Sequence, residues 1–184
     1  TIQAARDVCS IKHGAVEFDL PMYKLLPTEI ARRLLLRAVM WVNNATYPPR
    51  RNAVKQLQMS INKGISATLD GCQVTCRQAQ FILFREPNAV INSRCDFGDI
   101  WDERWRVYHD KQREHLTIGA LGETGIRATP QWRDLGLPRG AVLSLPAVWK
   151  GDELVACPAL EDAKEWQVEL KQSADSFFAT LLSH

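Results

Sequence analysis

The stretch from Leu116 to Pro158 constrains the fold most, because glycine and proline interrupt it so often that no long element fits. Leu116 and Ile118 alternate with polar neighbours, the pattern of a half-buried strand. Gly119, Gly122 and Gly125 break that run. They resemble a phosphate loop only loosely: the spacing is not G-x-G-x-x-G and no Lys-Ser/Thr follows, so they read as turn formers. Pro130 to Leu135 reads as a short helix, with Pro in its first turn and Gly136 just past its end. Val142–Trp149 and Leu154–Cys157 read as a hairpin turning at Lys150-Gly151-Asp152. A half built this way holds short antiparallel strands and short helices.

The first half is different. Pro27-Thr28 opens a helix that runs to about Asn43, with Thr28 as its N-cap. Its stripe is Ile30, Leu34, Ala38 and Trp41, widened by Leu35, Val39 and Val42. After the rigid Tyr47-Pro48-Pro49 turn, Pro49-Arg50-Arg51 begins a second helix that runs to about Asn62, with Val54, Leu57 and Ile61 facing the core and Gly64 as its stop. Residues 66–69, 72–77 and 80–85 read as a three-stranded meander turning at Asp70-Gly71 and Gln78-Ala79. Thr1 to His13 reads as weakly helical, ended by Gly14, and Ala15 to Leu20 as a strand stopped by Pro21. Trp105 to Asp110 alternates as a strand, turning at Lys111-Gln112, and residues 161–172 are polar and charged. Ser173 to His184 reads as an amphipathic helix that docks Phe177, Phe178, Leu181 and Leu182 on the sheet.

The predicted fold is therefore α+β. A helical lobe with a small antiparallel meander spans residues 1–87, a linker 88–99, and a small α/β lobe of antiparallel strands with short helices 100–184.

Charge enters because the two halves differ. Residues 1–87 carry 12 Lys/Arg against 6 Asp/Glu, and residues 88–184 carry 11 against 15. The basic half suits a polyanion such as nucleic acid, or is a solvated basic surface. Arg33 and Arg37 share one helix face, as a solvated edge or a phosphate-facing pair. Arg50 and Arg51 stand at a helix start, where the dipole disfavours cations; they serve something outside the fold or are plain surface. Lys55 lies with Arg51 on the face away from the core.

Several classes are excluded. Hydrophobic residues at 46% and six Trp rule out a disordered chain. No apolar run approaches the roughly 20 residues of a membrane span. There is no signal-peptide pattern, and the odd count of five Cys fits no disulfide framework, so a reducing cytoplasm is expected. The chain opens at Thr1 rather than Met and is expected to be a piece of a longer one. Cys72 and Cys76 fall on one strand face about 13 Å apart, too far to share a zinc ion, and His109 with His115 adds too little, so no metal site is predicted. No G-x-S-x-G elbow occurs, and Asp102-Glu103 reads as a solvated acidic edge, so no catalytic residue is predicted.

In order and spacing, a series of motifs resembles the C-terminal region of bacterial tRNA(Ile)-lysidine synthases of alphaproteobacterial type. In the first half these are Leu34-Leu-Leu-Arg-Ala-Val, Tyr47-Pro-Pro-Arg-Arg, Ala67-Thr-Leu-Asp-Gly-Cys and Phe84-Arg-Glu-Pro87. In the second they are Trp101-Asp-Glu-Arg-Trp, Gly119-Ala-Leu-Gly, Leu145-Pro-Ala-Val-Trp-Lys-Gly-Asp and the closing Phe178 to His184. The resemblance implies an accessory tRNA-binding part of an ATP-dependent ligase that joins lysine to cytidine 34 of tRNA(Ile) with a CAU anticodon. The family's catalysis belongs to an N-terminal ATP-pyrophosphatase domain with a Ser-Gly-Gly-x-Asp-Ser loop, which this sequence lacks. ATP, magnesium and L-lysine are thus implied for that other domain, with no cofactor here, and the fragment alone is expected to be inactive. The tRNA-binding residues implied are Arg33, Arg37, Arg50, Arg51, Lys55, Lys63 and Arg127. The short helix after Arg127 departs from the family by carrying only Arg133 besides it. The resemblance leaves room for an oligomer. The alternative is a protein-interaction or dimerisation module with no direct RNA contact, which the acidic second half and the aromatics allow.

Overall fold

The computed structural model describes residues 2–111, 115–160 and 165–180, and the expectations for Thr1, Gln112, residues 161–164, Leu181, Leu182 and His184 lie outside them. The fold is α+β, with antiparallel sheets and short helices. The chain forms two compact units, residues 86–171 and, as far as described, 1–85 with 172–184. Among the described residues no helix is long and apolar enough to cross a membrane.

The first unit opens with α1 (Ile2–Val8), but the helical reading fails beyond it: Cys9–Lys12 is a strand, β1. His13 (φ 47°) and Gly14 (φ 74°) both take left-handed backbone and close a two-residue hairpin onto β2 (Ala15–Asp19). Pro21 ends that strand and also starts a helix, α2 (Leu20–Leu25), where Asp19 Oδ1 caps the Met22 N–H at 2.8 Å.

The two long helices follow the apolar stripes. In α3 (Thr28–Val42), Leu34, Leu35, Ala38, Val39, Trp41 and Val42 are buried. Two details differ from expectation. Pro27 rather than Thr28 holds the N-cap position, without a side-chain bond, and Ile30 is 49% exposed. In α4 (Arg51–Asn62), Val54, Leu57 and Ile61 are buried as their spacing predicts.

The meander follows as β3 (Ala67–Leu69), β4 (Cys72–Cys76) and β5 (Gln80–Arg85), with left-handed Asp70 and Gly71 in the first turn. The five strands order as β1-β2-β5-β4-β3, all antiparallel. Register sets Phe18 opposite Phe81, and their rings stack at 4.4 Å with Tyr23 edge-on to both. The last described helix, α8 (Ala174–Thr180), is expected to dock on the sheet. It packs instead on α1 and α3: Phe177 meets Trp41 edge-on at 5.7 Å, and the Arg6 guanidinium lies over Phe178 at 4.4 Å. An aromatic pair finds more apolar area on two helices than on a half-polar strand face.

In the second unit the expected linker is structured. Residues 88–99 contribute to α5 (Pro87–Val90) and to β6 (Arg94–Asp96). Then come β7 (Trp105–His109), β8 (Thr117–Ala120), α6 (Gly122–Ala128), a 3-10 turn at Pro130–Leu135 closed by left-handed Gly136, and α7 (Arg139–Leu143). The strands β9 (Pro146–Lys150), β10 (Glu153–Ala156) and β11 (Trp166–Leu170) complete it. The predicted strand from Val142 begins only at Pro146, because Pro138 starts α7. Strands β10-β9-β8-β6 form one sheet and β11-β7 a ribbon. Val90, Trp101, Trp105, Val107, Ile118 and Val148 join them in one core.

Two of the three glycines, Gly119 and Gly125, are corrected too. Gly119 is a strand residue against which the Arg94 side chain lies, and a Cβ there would meet Arg94 Cγ at 3.1 Å. Gly122 opens α6 with φ +61°. Gly125 lies inside α6, where a Cβ would sit 2.3 Å from Leu121 Cδ1, and Leu121 is fully buried. Close packing, not turn formation, selects glycine at Gly119 and Gly125.

Candidate nucleic-acid interface

From Ile30 to Leu69 the sequence holds seven Lys/Arg and no Asp or Glu. That span covers most of α3, all of α4 and the connection between them. Thr28 and Ala31 line the same groove as Lys55, Met59 and Asn62, so the start of α3 lies against the last turns of α4 and the helices run antiparallel. The basic span is thus one helical hairpin.

Its cations fall into two groups. On α3, Glu29 accepts from Arg32 Nε and Nη2 at 2.9 and 2.6 Å and from Arg33 Nε at 3.0 Å. These hydrogen bonds, from Arg32 first and then Arg33, hold the Glu29 carboxyl down at about 2. Arg33 therefore already has an internal anion, and Arg37 is half-buried and engaged within the chain. On α4 and its ends, Arg50, Arg51, Lys55 and Lys63 are exposed. None of these four makes an ion pair or side-chain hydrogen bond with a described residue.

Arg50 is the N-cap residue of α4, without a side-chain cap bond, and the first turn carries no acid to offset Arg51. The helix dipole adds positive potential at that end. Lys55 follows one turn on from Arg51, about 6 Å along the axis, while Lys63 lies at the far end, about 18 Å from Arg51. The structure thus groups Arg50, Arg51 and Lys55, and leaves Lys63 apart on the same helix.

Arg127 belongs to the other compact unit, exposed in the last turn of α6. Glu123, one turn earlier, accepts a hydrogen bond from Arg139 Nη2, and that bond, with the charges of Arg139 and Arg127, lowers its pKa.

A groove of about 560 Å³ lies between α2, α3 and α4, lined by Lys24, Lys55, Gln58, Met59 and Asn62 among others, with no carboxylate on its walls. Lys24 escapes sequence reasoning because α2 does. The signal was present in Asp19 followed by Pro21, an N-cap and first-turn pair.

Gly119 and Gly125 leave no open cradle for a phosphate. The spaces beside Gly119 and Gly125 are filled by Arg94 and Leu121. Among the described residues no three His, Cys, Asp or Glu side chains are placed to hold a metal ion. Cys9 Sγ donates to Ala5 O at 3.3 Å and burial pushes its thiol up to about 12, which suits a structural cysteine rather than a nucleophile.

No family model matches the chain. It is similar to a tRNA(Ile)-lysidine synthase of Ruegeria pomeroyi, 38% identical over 184 residues, covering 100% of this chain and 44% of that protein. A tRNA(Ile)-lysidine synthase of Wolbachia pipientis wMel is 26% identical over 154 residues, covering 79% of this chain and 35% of its own length. One from the Wolbachia of Brugia malayi is 26% identical over 152 residues, with shares of 78% and 35%. The chain thus spans less than half the length of the curated relatives it matches.

Proposed function

We infer that this homologue of tRNA(Ile)-lysidine synthases is the accessory, C-terminal tRNA-binding part of such an enzyme, working in the cytoplasm. One observation carries the reading: Arg50, Arg51, Lys55 and Lys63 stand exposed along α4 with no ion-pair partner among the described residues, in a span that has no carboxylate from Ile30 to Leu69. Fixed cations of this kind bind phosphates by releasing their counterions. Arg33, Arg37 and Arg127 complete the proposed set as weaker contacts, Arg33 because Glu29 already holds it.

The chemistry, joining lysine to cytidine 34 of tRNA(Ile) at the expense of ATP, is assigned to a part of the enzyme outside this chain. Incubation of the chain with lysine, ATP and tRNA(Ile) is expected to yield no lysidine. The direct test of RNA binding is fluorescence anisotropy with labelled tRNA(Ile) across a salt series. The triple variant Arg50→Glu, Arg51→Glu, Lys55→Glu is expected to bind about 100-fold more weakly, with a salt slope smaller by about two to three. Unchanged affinity and slope would remove α4 from the interface.

A second reading has its own observation. Met22 (41% exposed), Leu25 (79%), Ile30 (49%) and Met59 (50%) leave apolar surface on α2, α3 and α4, which suits a protein contact. Sedimentation equilibrium distinguishes the two: a dimer that Leu25→Lys dissociates supports this reading, and a monomer at all concentrations removes self-association.

A further inference from the structure

The connection between α3 and α4 carries the most exposed aromatic ring among the described residues, Tyr47, at 83%. The other large exposed aromatic, Tyr108, is 40% exposed and its hydroxyl donates to Glu169 at 3.1 Å. Tyr47 has no such engagement: it makes no hydrogen bond, ring contact or cation contact with a described residue. A ring this exposed contributes almost nothing to burial.

The loop around it is nevertheless held at both ends. Upstream, the Ala45 N–H is shared between Asn43 Oδ1 at 2.9 Å and Met40 O at 3.0 Å, and Asn43 Nδ2 donates to Asp70 O at 3.1 Å. Downstream, Pro48 and Pro49 restrict φ and confine the residue before each to extended backbone. Arg50 O then accepts the Ala53 and Val54 N–H groups at 2.9 and 3.2 Å, fixing the start of α4. The ring is thus presented on a stiff mount that loses little freedom on binding. Three and four residues on stand Arg50 and Arg51, exposed and with no ion-pair partner among the described residues.

An open aromatic face next to free guanidinium groups matches a base with its neighbouring phosphates. A duplex hides its base faces, so the ring fits only a nucleotide splayed out of a stack, as in a loop, bulge or single-stranded end. We propose that Tyr47 stacks on an unpaired base of the bound RNA while Arg50 and Arg51 hold the adjacent phosphates. The proposal rests on the RNA-binding reading above and specifies the kind of RNA element that this surface takes.

The test measures anisotropy for the whole chain with two labelled RNAs, a stem-loop with an unpaired loop and the same stem as a blunt duplex. Tyr47→Ala is expected to weaken stem-loop binding about 5- to 100-fold with an unchanged salt slope, since a neutral contact releases no counterions. Tyr47→Phe keeps the ring and stays within about twofold, and duplex binding is the same in all three proteins. Stem-loop binding by Tyr47→Ala equal to wild type, with Arg51→Glu still weakened, overturns the stacking contact and leaves the cationic interface standing. Equal losses on loop and duplex overturn the choice of an unpaired base. A wild-type chain that binds neither RNA overturns the RNA-binding reading itself, and the stacking proposal with it.

Discussion

The two compact units use charge in opposite ways. In the first, the α4 cations have no anionic partner among the described residues, and Glu29 is the one carboxylate of α3 and α4 together. The second is acidic, with 15 Asp/Glu against 11 Lys/Arg over residues 86–171, and several of its cations are engaged within the unit. Arg139 pairs with Glu123, Lys171 lies 3.6 Å from Glu103, and Arg94 donates to Gly151 O at 2.8 Å while covering Trp149 at 5.3 Å. Surface ion pairs of this sort contribute little to stability, but they leave little positive field for a polyanion. Total charge obscures the contrast, because the whole chain is only +2. What sets α4 apart is that, among the described residues, none of its cations faces an anion.

The sharpest way to test that separation is to damage the second unit and watch the first. Gly125→Ala places a Cβ 2.3 Å from Leu121 Cδ1 inside a fully buried cluster. Alanine gains about 1 kcal/mol of helix propensity, but overpacking costs about 1–3 kcal/mol, so the clash prevails. The thermal midpoint followed by circular dichroism is expected to fall by a few degrees. RNA affinity measured well below that midpoint should be unchanged, because the proposed main contacts all lie in the first unit. A matching loss of affinity would show that the second unit carries binding after all.

Smaller effects come from single charge reversals. Arg51→Glu is expected to weaken RNA binding about tenfold and Arg127→Glu about two- to threefold, both measured at one low salt concentration. Equal losses would erase the difference between the units. Glu29→Gln works in the other direction. It releases Arg32 and Arg33 from their shared anion and is expected to tighten binding about two- to fivefold, with a salt slope steeper by almost one.

Much of this contrast was legible in the sequence, and the gaps have physical causes. The stripes of α3 and α4 are long enough for helical period to dominate, and Asp70-Gly71 fixes the β3–β4 register through its two left-handed residues. The His13-Gly14 turn has the same geometry, but histidine is an uncommon occupant of that position, so the sequence does not announce β1. Strand β11 alternates Trp166, Val168 and Leu170 with Gln167 and Glu169. That pattern was visible yet lost among charged neighbours, because a five-residue strand gives few repeats of its period. The closing helix could not be placed, since an amphipathic face states that it is buried but not against what. Site residues fared similarly. Sequence placed the cations on their helices, and the four-residue spacing of Glu29 and Arg33 already suits a pair, but only the structure shows that Arg51 faces no anion among the described residues.

The smallest effect is also the most local check on that pairing. Held by Arg32 and Arg33, the Glu29 carboxyl titrates at about 2 in the folded chain and near 4.3 when unfolded. A depressed carboxylate pKa stabilises the fold fully above about pH 4.5, and that contribution is lost as pH falls from there toward about 2. Because the Glu29 side chain is 50% exposed, salt screens the pair, and raising ionic strength should move the midpoint back toward 4.3. Carbon-detected NMR of the Glu29 carboxyl is expected to show a midpoint below 3 at low salt that climbs as salt is added. It should also show one charge state throughout pH 5 to 8, so Glu29 adds no pH dependence to RNA binding there. A midpoint near 4.3 at low salt would mean that the two arginines do not share this anion. Arg33 would then stand beside Arg51 as an uncompensated cation, and the line between internally used and outward-facing charge would run through α3 differently.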